Sequence, residues 1–137
     1  MQSTNEIEQR LRRFFEARRD DVAAVYLFGS VARGAASARS DVDVGVLLRS
    51  EPPPILEGLL LDLEAELERD VGRPVQLVVL NTAPCDLIHR VLRDGRLVID
   101  RDPSTRIRFE VRARNEFFDL EPFLRRYRRR SAESGVT

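Results

Sequence analysis

Gly29-Ser30, followed after ten intervening residues by Asp41-Val42-Asp43, decides the fold of this chain. The first pair ends an apolar run over residues 22–28, and the second motif opens another apolar run that continues to residue 48. Because alternate residues of a strand face the same side, Asp41 and Asp43 can share one cation. A glycine-serine turn at this distance can bring a phosphate group to that cation. The pattern therefore predicts a nucleotide-handling site.

Size and composition predict one globular domain over residues 1–137, with a core at about 5–100 and a C-terminal helical segment at about 103–130. A chain of 137 residues can bury one sizeable core but not two. Hydrophobic residues make up 42% and charged residues 34%, which excludes a disordered chain. The 23 basic and 23 acidic side chains balance, so no overall charge steers the protein to nucleic acid.

Several classes of protein are excluded by what the sequence lacks. A single cysteine, Cys85, allows no internal disulfide and no cysteine-based zinc cluster. No run approaches the ~20 apolar residues that span a bilayer, and the N-terminus has no apolar signal core. Every basic residue is arginine, so no lysine can act as a nucleophile or base. We therefore expect a cytoplasmic protein without a membrane partner.

Helical and strand patterns alternate along the chain, which predicts an α/β fold. A Ser3-Thr4-Asn5 cap begins a helix that ends near Arg19, and Thr82 caps a later helix through Leu92. The other predicted elements are strands over 22–28, 42–48, 75–80 and 97–99 and helices over 30–36, 56–70 and 104–130, the last kinked or restarted at Pro122.

Charge is strongly polarised although the total is zero. Residues 51–72 contain seven acids and one arginine, whereas residues 106–130 contain nine arginines and four acids. Opposite charges at two regions of one chain suit contacts with a protein partner, and they leave homo-oligomerisation open.

The motif residues match the needs of nucleotidyl transfer, in which the phosphates are held in line and their charge is neutralised. Asp41 and Asp43 can hold Mg²⁺ or Mn²⁺, which bridges triphosphate oxygens. Gly29 lets the triphosphate approach the backbone, and Ser30 adds a hydroxyl and an N–H group. Arg33, about one turn later, can reach a phosphate with its guanidinium group.

The same segments resemble a known superfamily. Residues 28–34, Phe-Gly-Ser-Val-Ala-Arg-Gly, and residues 40–44, Ser-Asp-Val-Asp-Val, are similar to the signature of polymerase-beta-type nucleotidyltransferases. The short chain and the later runs 80–84 and 89–95 resemble the minimal nucleotidyltransferases, or MNT proteins. The resemblance covers residues 7–125 and implies a nucleotidyltransferase fold: a small mixed sheet with helices packed on it and a C-terminal helical segment.

One position departs from the pattern of that superfamily. The resemblance implies a third metal-binding carboxylate on the strand after the acidic helix, and Gln76 occupies that place. An amide offers a carbonyl oxygen but has no charge and cannot take a proton, which weakens both metal binding and base catalysis. Asp86, the nearest later carboxylate, lies at a helix start beyond the strand and is a poor substitute.

The resemblance also implies a function. MNT proteins act as antitoxins of helical HEPN-domain toxins, and some transfer AMP from ATP to a tyrosine of the toxin. The first hypothesis is therefore an ATP-dependent, metal-dependent protein adenylyltransferase with a HEPN partner. The second, motivated by Gln76, is a catalytically weak nucleotide-binding antitoxin or scaffold that neutralises its partner by binding. A third, transfer to a small molecule, is disfavoured because the chain has little room for an acceptor domain.

Other conspicuous residues are interpreted as structural. His89 is the only histidine and has no second histidine or cysteine pair to complete a metal site, and Cys85 suits packing. Phe109, Phe117 and Phe118 are interpreted as core or interface residues rather than a base-stacking platform. The arginine run 125–130 is interpreted as a solvated helix end or a contact with an acidic partner.

Overall fold

The computed structural model describes residues 3–18, 21–34, 40–51 and 56–133. Within these residues the chain alternates between strands and helices, as the sequence predicted. The strands are β1 (Val22–Phe28), β2 (Val42–Leu48), β3 (Val75–Val79) and β4 (Arg96–Asp100). The α-helices are α1 (Thr4–Glu16), α2 (Gly29–Ala32), α3 (Leu56–Val71), α4 (Cys85–Asp94) and α5 (Pro103–Glu133), and a 3₁₀ turn spans Leu80–Thr82.

The strands form one mixed sheet in the order β3-β2-β1-β4. Strand β1 pairs antiparallel with both β2 and β4, whereas β2 and β3 are parallel. The expected α/β fold with a small mixed sheet is thereby confirmed.

Helices cover both faces of the sheet, which explains why β1 is apolar throughout. On one face Val25 and Leu27 join a core with α1 and α3, to which Phe15 contributes the largest fully buried side chain. On the other face Ala24 and Tyr26 pack with residues of α4 and α5. A strand buried on both sides reads as a continuous hydrophobic run rather than an alternating one.

The acidic helix α3 covers an edge of the sheet. Glu68 Oε1 accepts a hydrogen bond from the Val75 amide at 3.0 Å, and Glu64 Oε2 accepts one from the Leu77 amide at 3.1 Å. Both amides belong to β3, which lies at the edge of the sheet, where backbone donors lack a strand partner. Part of the negative charge that the sequence concentrates in residues 51–72 is therefore structural.

The ends of the first two helices differ from the prediction. The Ser3 side chain caps α1 as expected, accepting from the Glu6 amide at 3.2 Å, but the helix ends at Glu16 rather than near Arg19. Helix α2 ends at Ala32, and Gly34 follows at φ +70°, a conformation that glycine adopts without strain. The predicted end of that helix, residue 36, lies outside the described residues, as does residue 19.

Two predicted boundaries around β3 and α4 were wrong. Strand β3 ends at Val79, and the Asn81 side chain then takes the place of a backbone partner for β2. Its Oδ1 accepts a hydrogen bond from the backbone N–H of Leu48 at 2.8 Å, and its Nδ2 donates one to the Leu48 carbonyl at 3.0 Å. An asparagine side chain readily competes with backbone pairing in this way. Thr82 does not cap α4, because the helix begins at Cys85 after Pro84 and has no side-chain cap.

Helix α5 runs without interruption from Pro103 to Glu133, so the predicted restart at Pro122 was wrong. Pro122 removes the amide that would bond to the Phe118 carbonyl, but both residues are exposed and water can satisfy that carbonyl. Within the described residues no helix, α5 included, is long and apolar enough to cross a membrane.

A polar network at the base of α5 fixes this helix to the sheet. The Tyr26 hydroxyl donates to Glu110 Oε1 at 2.6 Å. The Arg106 guanidinium pairs with Glu110 at 3.1 Å and with Asp100 of β4 at 3.0 Å. Burial and the neighbouring Glu110 carboxylate raise the pKa of Tyr26 far above its ordinary value, so the hydroxyl remains a donor. The network joins β1, β4 and α5.

We predict that Tyr26→Phe lowers the free energy of unfolding by about 1–2 kcal/mol, because it removes a partly buried hydrogen bond to a carboxylate. Urea unfolding at neutral pH measures this loss. The matched control is Tyr127→Phe, whose hydroxyl lies on an exposed part of α5 and should leave stability unchanged. Equal stabilities of wild type and Tyr26→Phe would contradict the role of the network.

Candidate active site

Strand register brings the predicted site residues together. Phe28 of β1 is paired with Asp43 of β2, and Asp43 is paired with Gln76 of β3. Gly29 follows Phe28 directly, so the glycine-serine turn lies beside the carboxylate. The structure therefore places Gln76 next to Asp43 on the neighbouring strand, where the sequence comparison expected a third acid.

These residues line one cleft of about 480 Å³, a volume within the range of small-molecule sites. Its lining consists of strand residues Asp43, Gln76 and Val78, the turn residues Phe28, Gly29, Ser30 and Arg33, and the α4 residues Leu87, Arg90, Arg93 and Asp94. Asp41 is exposed just before β2 begins, and its charge acts on Asp43. The cleft is thus lined by three arginines, Asp94 and one aspartate of the motif, Asp43.

Gly29 is required by the geometry of the turn for two reasons. Its φ is +75°, which an L-residue with a side chain rarely adopts. In addition, a Cβ atom at this position would overlap Asp43 Oδ2 and lie 3.1 Å from Asp43 Cγ. The backbone of the turn therefore packs directly against the aspartate carboxylate.

The aspartate pair carries unfavourable charge that a cation would relieve. Partial burial raises the pKa of Asp43 above its ordinary value, and the nearby Asp41 carboxylate raises it further. A partly buried carboxylate whose ionisation is disfavoured by a neighbouring carboxylate fits a divalent metal ion. Within the described residues no group of three or more His, Cys, Asp or Glu side chains could hold a metal ion, and the residue in register with Asp43 on β3 is the neutral Gln76.

A family comparison agrees with this geometry. The model of the family described as "Polymerase beta, Nucleotidyltransferase" matches residues 9–104. The chain belongs to this nucleotidyltransferase family. The matched segment includes both parts of the motif, the sheet and the arginines of α4. No curated protein sequence matches the chain.

Several solved structures similar to this nucleotidyltransferase come from toxin–antitoxin complexes. A chain of a toxin–antitoxin complex with AMP-PNP has a TM-score of 0.71 and 21% identity, covering 95% of this chain and 98% of the other. A chain from the complex of a tri-AMPylated Shewanella oneidensis HEPN toxin with its MNT antitoxin has a TM-score of 0.67 and 19% identity, covering 98% and 99%. At these identities the similarity shows a shared fold.

Neighbouring contacts hold the nucleotidyltransferase motif in place. Arg73 donates to the Ser40 carbonyl at 2.5 Å, and the Val42 amide donates to the Pro74 carbonyl at 2.9 Å. These two bonds fix the chain on both sides of Asp41. On the opposite wall, the Thr4 hydroxyl donates to the Val31 carbonyl at 2.8 Å and ties α1 to α2. The carboxylates and the turn are thus supported by separate parts of the fold.

Three arginines line the cleft, of which the sequence predicted only Arg33. Arg90 and Arg93 come from α4, at a spacing of three residues that presents both to the same side of a helix. Arg93 also pairs with Asp94 at 2.7 Å, and this pairing is the main reason that the pKa of Asp94 is lowered. The sequence signal was the pair of basic residues one helical turn apart, but only the packing of α4 on the sheet shows which site they serve.

Other singled-out residues lie outside the cleft. Asp86 pairs with Arg128 at 3.1 Å and therefore does not replace the third acid. His89 stacks on the Phe117 ring with a centroid separation of 3.5 Å, which agrees with a packing role. Burial raises the pKa of the Cys85 thiol, so this cysteine has no activated thiolate character.

Of the three aromatic residues of α5 that were interpreted as core or interface, two pack against the rest of the domain and one does not. Phe109 packs against the buried cluster that includes Tyr26, and Phe117 is half-buried against His89. Phe118 is exposed and is therefore not a core residue.

We predict that Gly29→Ala weakens binding of a fluorescent ATP analogue at least about tenfold, which corresponds to about 1.4 kcal/mol. The added methyl group displaces Asp43 in addition to straining the backbone. Gly72→Ala is the matched control: φ is +79° at this position, but a Cβ would have no neighbour within 4 Å. Both variants should lose about 1 kcal/mol of stability from the positive φ. Equal ATP affinities of the two variants would contradict the close packing of the turn on Asp43.

Proposed function

We propose that this protein transfers AMP from ATP to a hydroxyl group of a partner HEPN toxin and thereby acts as its antitoxin. The acceptor we propose is the hydroxyl of a tyrosine. The observation that carries the proposal is the packing of the Asp43 carboxylate against Gly29 inside a cleft lined by arginines. The fold shared with chains from a complex with AMP-PNP and from a complex with an AMPylated HEPN toxin supports the choice of nucleotide and acceptor.

Binding of ATP requires the cleft to hold a strongly anionic chain of phosphates. Gly29 lets phosphate oxygens approach the backbone, and Ser30 contributes a hydroxyl group. Arg33, Arg90 and Arg93 offer guanidinium donors that match phosphate geometry. Asp41 and Asp43 would hold Mg²⁺ or Mn²⁺, and the bound ion would neutralise part of the charge of the triphosphate.

In the proposed reaction the acceptor hydroxyl oxygen forms a bond to the α-phosphorus of ATP. The bond between the α-phosphorus and the oxygen leading to the β-phosphate breaks, and pyrophosphate leaves. The hydroxyl proton passes to the aspartate pair. The arginines of the cleft stabilise the charge on the departing pyrophosphate.

A second candidate function rests on Gln76. Gln76 lies in register with Asp43, at the place of a third carboxylate. Because an amide has no charge and takes no proton, the site has one negative charge and one proton acceptor fewer than a site with three carboxylates. A protein of this kind would bind ATP and neutralise the toxin by covering it, without transferring AMP. Either function belongs in the cytoplasm, where ATP is available.

The two functions differ in whether label from ATP reaches the partner. We predict that wild type with Mg²⁺ transfers AMP from α-labelled ATP to a purified HEPN partner protein. Asp41→Ala and Asp43→Ala should each reduce labelling by at least about 100-fold, because each removes a charge that holds the metal. Gln76→Asp should increase labelling by restoring a third carboxylate. The control is Asp62→Ala, an exposed carboxylate of α3, which should label like wild type.

The outcome also separates the candidates. If wild type suppresses the toxin without any label, the transferase proposal fails and the binding function stands. Efficient labelling by wild type rejects the binding-only function. Labelling that survives in Asp41→Ala and Asp43→Ala would show that the chemistry does not use this cleft.

A further inference from the structure

Asp94 places a carboxylate among the arginines of the cleft at Gly29 and Asp43. It is the last residue of α4, and it lines this cleft together with the three arginines described above. A carboxylate in this position opposes the proposed binding of phosphates, because like charges repel each other. Attraction of the nucleotide therefore does not account for Asp94, and its contacts indicate a different role.

The Asp94 carboxylate is bound to Arg93 through both of its oxygens. Arg93 Nε donates to Asp94 Oδ1 at 3.0 Å, and Arg93 Nη2 donates to Asp94 Oδ2 at 2.7 Å. An arginine binds a phosphate group in the same way, with two parallel N–H donors directed at two oxygens. Asp94 therefore occupies donors of Arg93 that a phosphate group in the cleft would use.

A second arginine of the cleft also acts on Asp94. Arg33 directly follows α2, on the other side of the cleft from α4 in the sequence. The hydrogen bond from Arg93 is the main cause that lowers the pKa of Asp94, and the positive charge of Arg33 lowers this pKa further. The Asp94 carboxylate thus interacts with arginines from two separate elements that line the cleft.

The backbone at Gly95 holds Asp94 beside the glycine-serine turn. A Cβ atom at Gly95 would overlap the Val91 carbonyl oxygen and lie 3.2 Å from the Leu27 carbonyl oxygen. The Gly95 amide also donates to the Val91 carbonyl at 2.8 Å. The end of α4 is therefore packed closely against the end of β1, two residues before Gly29. This packing fixes the backbone position of Asp94 relative to the cleft.

Helix stability does not explain an aspartate at the end of α4. The carboxyl end of a helix carries partial negative charge, which favours an arginine in the last turn and disfavours an acid. The side chains of Arg93 and Asp94 are 57% and 31% exposed, and an ion pair at such exposure adds little to stability. The cleft that Asp94 lines is therefore the better explanation for its presence.

We propose that Asp94 is an internal competitor of phosphate: its carboxylate occupies Arg93 in the nucleotide-free protein and releases this arginine when a nucleoside triphosphate binds. Because this role presupposes a nucleotide in the cleft, it rests on the proposed function. The product pyrophosphate competes with Asp94 for the same donors. Asp94 therefore weakens the binding of both substrate and product, and its return to Arg93 favours release of the product.

The affinity of the full-length protein for a fluorescent ATP analogue, measured with Mg²⁺ at constant ionic strength, tests this competition. Asp94→Asn should tighten binding at least about fivefold, because it frees Arg93 and removes a repulsive charge. A variant that merely damaged the fold would bind more weakly. The matched control is Asp86→Asn. Asp86 is another carboxylate of α4 that is paired with an arginine, Arg128 at 3.1 Å, but it lies outside the cleft and this variant should bind like wild type.

A double-mutant cycle shows whether Asp94 acts through Arg93. In the Arg93→Gln background, Asp94→Asn should tighten binding of the analogue no more than about twofold, because no ion pair remains to be broken and only the repulsion is removed. Displacement of the analogue by pyrophosphate gives the affinity for the product. This affinity should also rise at least about fivefold in Asp94→Asn with Arg93 present.

Several outcomes would overturn the role of Asp94: unchanged or weaker affinity in Asp94→Asn, an equal gain with and without Arg93, or no binding of the analogue by either wild type or Asp94→Asn. Failure of the proposed function is a separate result. In that case wild type binds the analogue, Asp94→Asn binds it more tightly, and neither protein transfers AMP to a HEPN partner.

Discussion

The contact between the Asp43 carboxylate and the Gly29 backbone is the constraint on which the site depends. It requires antiparallel pairing of β1 with β2 in one register, a positive φ at the turn and the absence of a Cβ atom. The contact also has an energetic cost. Because burial and the Asp41 carboxylate raise the pKa of Asp43 in the folded protein, its ionisation disfavours folding. This loss of stability develops as pH rises from the ordinary carboxyl pKa to the raised pKa, and it is constant above that. Burial of both sheet faces compensates for it.

The sequence was sufficient for the parts of the fold that follow local rules. The apolar runs predicted β1 and β2 to the residue. The motif spacing predicted a glycine-serine turn near the aspartates, but the packing of Gly29 against Asp43 was not foreseen. Boundaries that depend on side-chain competition were wrong, such as the end of β3, where the Asn81 amide replaces a backbone partner. Contacts between elements that are distant in the sequence could not be predicted from the hydrophobic pattern. For example, Arg90 lines the cleft at Gly29 and Asp43 only because α4 packs against the sheet.

Helix α4 lies between two clefts. Leu87 and Arg90 line the cleft at Gly29 and Asp43, whereas Ile88 lines a second cleft of about 810 Å³ beside α5. The Tyr26–Glu110 bond and the His89–Phe117 stack keep α5 at a fixed position against the sheet and α4.

The central claim is that the cleft at Gly29 and Asp43 holds a metal-bound triphosphate. A crystal structure of wild type with Mn²⁺ and a nonhydrolysable ATP analogue tests it most directly, because the anomalous signal of manganese locates the metal. The account predicts manganese bound by Asp41 and Asp43, with phosphate oxygens against Gly29 and within hydrogen-bonding distance of Arg90 or Arg93. Manganese bound elsewhere, or a nucleotide in the second cleft, would contradict it.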